Sequence, residues 1–197
     1  RVYGFTADSR FEGGATIQVA DRAGNTAEET FTVVRDAAPP VARVTQAAQY
    51  VKTGPVAVHW TATDDASGVQ SAALWARFES GVWQESGLAQ PGEGGRFDFA
   101  PVQEGRYTFA AAGLDNVGNQ ETVSAAEAWT VYDVTPPTAT LAALAQYQAA
   151  RVFGVQWSGD DPAPASGGQP AGVDGYDLQA RVDGAAWQSI VAHTQST

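Results

Sequence analysis

The pentapeptide Asp115-Asn-Val-Gly-Asn119 occurs a second time, with two changes, as Asp21-Arg-Ala-Gly-Asn25. Each copy is followed by a segment in which apolar and polar residues alternate, and then by an Asp-x-x-Pro-Pro sequence. Alternation with a period of two predicts a β-strand, and the Gly-Asn dipeptide is typical of the tight turn before such a strand. We therefore expect the same turn and strand at two places in the chain.

The repeat extends beyond these motifs. Asp133-Val-Thr-Pro136-Pro137 follows Asp36-Ala-Ala-Pro39-Pro40 at an offset of 97 residues (133 minus 36), and the same offset separates Trp157 from Trp60. A period of this length, filled with short alternating segments, predicts a row of separate β domains rather than a solenoid of thin repeats. The proline pairs are expected to stiffen the linkers, because proline fixes its own φ and restricts the residue before it.

The period divides the chain into three segments. Residues 37–133 contain every motif once, at the spacing expected of about seven short antiparallel strands, and are predicted to form a complete Ig-like β-sandwich. Residues 1–36 match the last three strands of that unit, since residues 1–5 align with residues 96–100. Residues 134–197 match the strands before those three, with an insertion at 160–170.

The two partial segments are complementary, which leaves three alternatives open. The chain could be an arbitrary piece of a uniform array, or strands of one copy could complete the sandwich of another. Residues 1–36 could also fold back onto residues 138–197 of the same chain. Because the sequence contains no Met and no signal peptide, we expect an interior piece of a longer protein.

Composition argues against several kinds of function. The net charge of −11 argues against nucleic-acid binding, which depends on clustered Lys and Arg. The absence of Cys removes disulfides, thiol nucleophiles and Cys-based zinc sites. No apolar run approaches the roughly 18 residues of a membrane-spanning helix, so no transmembrane segment is expected.

The order of motifs resembles the bacterial Ig-like and fibronectin type III-like repeats of secreted or cell-surface proteins. The resemblance rests on residues 63–69, 81–83, 104–109 and 115–119 and on the proline-rich linkers. It implies an all-β fold of tandem antiparallel sandwiches and a location outside the cytoplasm. Such families act as stalks, adhesin shafts or accessory modules, and a shared fold by itself assigns no activity.

Most of the aromatic residues are expected to pack in the core. Tyr107 follows Glu104-Gly105 as the tyrosine of a tyrosine corner does, with its ring packed and its hydroxyl bonded to the backbone. Trp75 is the expected surface exception, because Gln179 stands at the matching position. Tryptophans at matched positions are expected to be buried anchors, namely Trp60 with Trp157 and Trp83 with Trp187.

No catalytic site is predicted. The two histidines, His59 and His193, lie at no spacing that pairs them with a serine nucleophile or a second metal ligand. Asp64 and Asp65 are adjacent, so their side chains are expected to point apart rather than to act as an acid and base pair. We therefore expect a protein that is not an enzyme.

Calcium is the one cofactor that the motifs suggest. In a sandwich of this connectivity, two loops and the domain's own N-terminus meet at one pole, where oxygen ligands could hold a hard cation. The alternative is that Asp and Asn in turns, including Asp21 and Asn25, accept hydrogen bonds from nearby backbone and need no ion. The candidate ligands are Asp36, Asp64, Asp65, Asp115 and Asn119 at the first junction, and Asp133, Asp160 and Asp161 at the next.

The expected function is mechanical. We expect a structural repeat of an extracellular bacterial surface protein, a stalk or filament-forming unit whose partners are neighbouring copies of the same repeat or chain. One alternative is a carbohydrate- or receptor-binding adhesin module that uses exposed aromatic residues and the loop at 162–170. Another is an accessory domain of a secreted hydrolase.

Overall fold

The chain folds entirely as β-structure. A computed structural model describes residues 13–195, and these residues form fourteen β-strands in five sheets without a helix. All strand pairings in this part of the chain are antiparallel except one short parallel contact. Residues 13–195 accordingly contain no helix long and apolar enough to cross a membrane. The predicted all-β class is confirmed, and the predicted strands of residues 1–12 lie outside the described residues.

The first described element is a two-stranded hairpin. Strand β1 (Gly13–Ala20) pairs with strand β2 (Thr26–Val33) through a turn in which Gly24 has a φ of +91°. The register places Ile17, Val19 and Phe31 on one face and Thr16, Gln18 and Thr30 on the other, so the first face is mostly apolar, with Glu29 opposite Ile17 as its one charged residue. This face is exposed to solvent; Ile17, for example, exposes 63% of its surface.

Residues 41–132 form two sheets with a common core. The five-stranded sheet has the order β4-β10-β9-β6-β7, and the three-stranded sheet has the order β3-β5-β8. The single parallel pairing joins β4 to β10. The strands are β3 (Val41–Ala47), β4 (Tyr50–Val51), β5 (Val56–Thr63), β6 (Val69–Phe78), β7 (Gln84–Pro91), β8 (Gly94–Phe99), β9 (Gly105–Asp115) and β10 (Ala128–Tyr132).

The core lies between these two sheets, an arrangement compatible with a β-sandwich. Alternate residues of β5 point inwards, and Val56, Val58 and Trp60 are almost fully buried. The Trp60 ring stacks on Phe97 of β8 with the ring centres 5.4 Å apart. From the other sheet, Leu74 and Phe109 close the core and are also fully buried. Burying several large apolar side chains at about 1.5–3 kcal/mol each is the main stabilising contribution here.

Two predicted elements of this unit are wrong. The run Gln90-Pro-Gly-Glu-Gly-Gly95 predicts a loop, but the structure has a tight turn at Gly92 and Glu93 between β7 and β8, because Gly92 adopts a φ of +90° that lets the chain reverse at once. The sequence predicts that the last strand runs from Val123 through Trp129 and Val131 to Tyr132, but β10 begins at Ala128. The residues before β10 leave the sheet and turn two glutamates towards the strands.

These glutamates join the edges of the two sheets. Glu127 Oε2 accepts the backbone N–H of Val44 on β3 (2.7 Å) and of Ala111 on β9 (3.1 Å). Arg43 forms ion pairs with both Glu127 and Glu121, which offsets the cost of placing two carboxylates at a mostly buried edge. Glu121 joins the two sheets in the same way, because its Oε2 accepts the N–H groups of Ala42 on β3 and Gly113 on β9.

Residues 138–195 form two separate two-stranded sheets. The apolar residues Val152, Val155 and Trp157 predict a strand equivalent to β5, but β12 begins only at Trp157. In the central unit Val58, which matches Val155 at the offset of 97, pairs with Phe97 of β8, and no strand of residues 138–195 takes the place of β8. Trp187 was expected to be buried but is 59% exposed. The strands are β11 (Thr138–Leu141) with β12 (Trp157–Asp160), and β13 (Tyr176–Ala180) with β14 (Gln188–Thr194).

Tyr107 has the bonding of a tyrosine corner. Its hydroxyl accepts the N–H groups of Val102 (3.2 Å) and Gln103 (3.1 Å) and donates to the Gln103 carbonyl (3.0 Å). The side chain is 4% exposed and packs edge-on against Phe99. The hydroxyl thus satisfies three backbone groups at the corner that leads into β9.

Replacement of Tyr107 by Phe tests this corner. We expect Tyr107→Phe to lower the free energy of unfolding by about 1–2 kcal/mol, because it leaves backbone groups unpaired in a part-buried loop. Tyr132→Phe is the matched control, since the Tyr132 hydroxyl has no hydrogen bond within residues 13–195 and its loss should cost little. Urea unfolding of both variants measures the difference, and equal effects would contradict the assigned role of the corner.

Candidate functional site

The repeated pentapeptide forms the same turn in both places. Asp115 Oδ1 accepts the N–H of Val117 (3.0 Å) and of Asn119 (2.7 Å), while Oδ2 accepts the Asn119 side-chain amide (2.6 Å). Asp21 makes the matching three bonds, two of them to Asn25, at 2.7–2.8 Å. The motif is therefore a self-contained turn in which Asp supplies the acceptors and Asn supplies two of the donors.

Three of the predicted calcium ligands meet at one end of the central unit. Asp64 lies in the loop between β5 and β6, Asp115 ends β9, and Asp36 lies in the segment before β3. One carboxylate oxygen from each lies within 4.8 Å of the others. The predicted convergence of two loops and the linker at this pole is therefore present for these three side chains.

Backbone N–H groups already bind each of the three carboxylates. Asp64 Oδ1 accepts the N–H of Ala66 (3.0 Å) and Gly68 (2.8 Å). Asp36 accepts the N–H of Ala38 at Oδ1 (3.1 Å) and of Ser67 at Oδ2 (2.9 Å). Asp36 thus ties the linker to the loop that carries Asp64. The bond to Ser67 is a contact between two segments rather than a turn closed on itself.

The pKa values of Asp36, Asp115 and Asp21 are lowered, so the charged form of these three residues is favoured. The nearby Ser67 side chain, followed by the backbone N–H of Ala38, lowers the pKa of Asp36, although the nearby charge of Asp115 acts in the opposite direction. Burial alone would raise the pKa of Asp115, but bonds from the Asn119 side chain and backbone and from Val117 outweigh it and lower the pKa. The Asn25 side chain is the main cause of the lowered pKa of Asp21.

The second junction repeats the bonding of the first. Asp133 takes the place of Asp36, accepting the N–H of Thr135 at Oδ1 (2.9 Å) and of Ala171 at Oδ2 (2.7 Å). Asp161 takes the place of Asp64 and accepts the N–H of Gly172 (2.6 Å). The two junctions therefore share one pattern. The linker aspartate accepts the N–H of one loop residue, Ser67 or Ala171, and the loop's own aspartate accepts the N–H of the glycine that follows it.

The remaining predicted ligands lie outside the three-carboxylate cluster. The Asp65 and Asp160 side chains make no hydrogen bond within residues 13–195. Asn119 uses its amide nitrogen to donate to Asp115. Among the described residues, Asp133 and Asp161 are not joined by a third carboxylate at the second junction.

The insertion at 160–170 contacts the central unit, which the sequence did not indicate. Gln169 N–H donates to Glu79 Oε1 (2.8 Å), which also accepts the N–H of Arg106 at the start of β9 (2.8 Å). The Ser166 hydroxyl donates to the Glu104 carbonyl (2.8 Å). Glu79 and Glu104 carried no sequence signal for this role, because their partners Gln169 and Ser166 lie 90 and 62 residues further along the chain.

Arginine and tryptophan side chains pair on the outer face of the five-stranded sheet. Arg77 lies over Trp83 (4.9 Å) and Arg106 over Trp129 (4.7 Å), beside a shallow groove of about 520 Å³. The pair of Arg181 with Trp187 (4.8 Å) repeats the first of these contacts. The guanidinium groups therefore shield the tryptophans of the β6–β7 and β13–β14 connections, which explains why these rings remain near the surface.

The histidines form no catalytic arrangement within residues 13–195. His59 is exposed on β5 and has no hydrogen-bonded partner for its ring. His193 Nε2 lies 3.5 Å from Asp174 Oδ2, and both side chains are exposed. Neither histidine contacts a serine hydroxyl in the described part of the chain, so the geometry supplies no nucleophile and base pair.

Comparison with known proteins gives no match: no protein-family model, no curated protein and no solved structure is similar to this chain. The fold and the site therefore define a class only. The chain is an all-β protein of mainly antiparallel sheets in which aspartate carboxylates bind backbone N–H groups at two junctions.

Calcium dependence can be tested by removing one charge from the cluster. Because hydrogen bonds engage all three carboxylates, we expect the melting midpoint of the chain in a chelator to equal that in calcium within about 1 °C. Asp64→Asn keeps an oxygen for both N–H donors and should leave the midpoint unchanged or slightly raised. A midpoint that rises with calcium in the original chain but not in Asp64→Asn would contradict this expectation and assign a cation to the cluster.

Acidification is expected to destabilise the chain. The pKa values of Asp21, Asp36 and Asp115 are lowered in the folded state, so the stability they contribute is present above the unfolded pKa of about 4 and is lost as the pH falls through the folded values. Thermal melts from pH 7 to pH 2 should show a midpoint that falls below about pH 4. In Asp115→Asn the fall should be shallower, and an equal fall would contradict the assigned contribution.

Proposed function

We propose that the chain is a non-enzymatic structural segment of an extracellular bacterial surface protein. In this proposal tandem Ig-like or fibronectin type III-like sandwiches are linked end to end as a stiff shaft. Support comes from the order of the motifs and from the two sheets of residues 41–132, whose core and tyrosine corner are typical of such modules. A location outside the cytoplasm follows from the resemblance alone.

The repeated bonding at the two junctions is the observation that carries the proposal. Ser67 donates to Asp36 and Ala171 donates to Asp133, at 2.9 and 2.7 Å. Each bond joins a linker to the loop of the unit that follows it. A linker that is fixed to the next unit transmits orientation, whereas a linker without such bonds lets the units rotate freely.

Proline and packing restrict the same linkers further. Pro40 is fully buried, and a Cβ at Gly113 of β9 would lie only 2.7 Å from its ring, so the linker packs closely on the sheet. At the second junction the insertion adds the bonds from Ser166 and Gln169 to the central unit. These contacts favour a fixed angle between neighbours over a flexible tether.

A binding role for the insertion has less support. Its residues Ser166 and Gln169 contact the preceding unit, which leaves fewer of its polar groups for a ligand. The groove beside Arg106 and Trp129 is the best remaining place for a glycan or receptor contact, but it is shallow and each arginine there lies against a tryptophan ring. We therefore place the mechanical role first.

The junction can be loosened by one substitution. Asp133→Ala removes the acceptor of the Thr135 and Ala171 N–H groups, so residues 41–132 and 138–195 should reorient more independently. Both measurements are made at a dilution at which the chain is monomeric. In small-angle X-ray scattering the more independent motion should appear as a broader distribution of shapes. In residual dipolar couplings it should appear as a different alignment tensor for each of the two parts. Asp160→Ala is the matched control, since Asp160 is exposed and its side chain has no bond in the described structure. If residues 41–132 and 138–195 of Asp133→Ala still share one alignment tensor, the proposal is contradicted.

A further inference from the structure

We infer that the β1–β2 hairpin of one copy of this chain completes the open part formed by residues 138–195 of a second copy. The inference rests on the proposed function, because it treats residues 138–195 as a unit equivalent to residues 41–132. The occupant is a second copy of this chain, and the assembly that results is an open row of chains rather than a closed dimer.

The hairpin and the open part expose matching apolar faces. On the hairpin, Ile17 and Val19 of β1 and Phe31 of β2 lie on the same exposed face. In residues 138–195, Leu141 and Leu178 line an open cavity, and Leu141 exposes 57% of its surface. Isolated two-stranded sheets with one bare apolar face are marginally stable in water, so both parts gain by covering these faces.

A cavity marks the place that the hairpin would fill. It has a volume of about 320 Å³ and lies between the two small sheets, whose closest ring contact is that of Trp157 with Tyr176 (6.4 Å). Its apolar lining corresponds, at the offsets of the repeat, to buried core residues of the central unit. The pairs are Ala139 with Ala42, Leu141 with Val44, Trp157 with Trp60, Tyr176 with Ala72 and Leu178 with Leu74.

The free strand edges also correspond. In the central unit β6 lies between β7 and β9, and β9 lies between β6 and β10. β13, the counterpart of β6, pairs only with β14, and β1, the counterpart of β9, pairs only with β2. Each of the two strands therefore has one unpaired edge in the described structure, and the two edges are those that face each other in the central unit.

The register of this pairing follows from the repeat. Leu74 is opposite Ala111 and Trp75 is opposite Ala110 in the pairing of β6 with β9. In the repeat, Leu178 and Gln179 match Leu74 and Trp75, while Ile17 and Thr16 match Ala111 and Ala110. The repeat therefore predicts that Leu178 pairs with Ile17 and that Gln179 pairs with Thr16. Ile17 would then enter the cavity from the apolar face of β1, while Thr16 and Gln179 would lie together on the polar outer face.

A second copy fits better than the same chain folded back. Asp36 holds the linker after the hairpin at the Asp115 end of β9, whereas residues 138–195 are held at its Gly105 end through Glu104. Strand β9 has eleven residues and spans about 36 Å. The residues between Val33 and Asp36 reach only about 10 Å, so fold-back would require the first junction to be broken.

The pairing would also complete the second junction. Asp21 has the same turn as Asp115, which contributes the third carboxylate beside Asp36 and Asp64. A hairpin placed in the β9 position would bring Asp21 next to Asp133 and Asp161. The second junction would then acquire the same three-carboxylate arrangement as the first.

Because the chain has no cysteine, introduced cysteines give a clean test. Chains carrying Thr16→Cys and differently tagged chains carrying Gln179→Cys are mixed and oxidised. We expect a disulfide-linked heterodimer in at least about five-fold excess over the mixture of Gln179→Cys with Thr30→Cys. Thr30 lies on the same polar face but one strand further away, about 10 Å from Gln179, which is too far for a disulfide.

Three results would overturn the inference. They are a yield from Thr16→Cys no higher than from Thr30→Cys, a chain that is monomeric at all concentrations by light scattering, and a cross-link within one chain in the Thr16→Cys/Gln179→Cys double variant. Because Thr16, Thr30 and Gln179 are all exposed, their replacement by Cys should leave folding unchanged, and the yield of disulfide then reports the pairing alone. Failure here leaves the junction test with Asp133→Ala unaffected, so the two proposals fail separately.

Discussion

Carboxylate oxygens that accept backbone N–H groups hold this chain together at several places where regular strand pairing stops. Asp21 and Asp115 close the turns, Glu127 joins the edges of two sheets, and Asp36 and Asp133 fix the linkers. Bonds of this kind are stronger than those between neutral groups, because the acceptor is charged. The excess of acidic over basic residues, 22 against 11, therefore has a structural use besides solubility.

The local patterns in the sequence predicted most of the central unit. Alternation identified β5 and β6, and the Glu-Gly-x-Tyr motif identified the corner at Tyr107, because each depends on residues close together in the chain. The late start of β10 was missed. It depends on Glu127 reaching backbone groups on β3 and β9, and the sequence alone does not reveal such long-range partners.

The candidate site was predictable in part for the same reason. The convergence of Asp36, Asp64 and Asp115 follows from strand connectivity, and the repeat located Asp133 and Asp161 at the matching places. The bonds of Glu79 and Glu104 to the insertion were not predictable, because the inserted loop has no counterpart in the central unit. Trp187 was misjudged because a stack with Arg181 shields an indole without burying it.

The short parallel pairing of β4 with β10 has a mechanical consequence. Val131 N–H donates to the Gln49 carbonyl (2.7 Å) and Asp133 N–H donates to the Val51 carbonyl (3.0 Å), just before the chain leaves the unit. Tension applied to the two ends of the unit pulls parallel neighbours in opposite directions along their length. The load then falls on these bonds together in shear, and they resist it better than bonds that are unzipped one at a time.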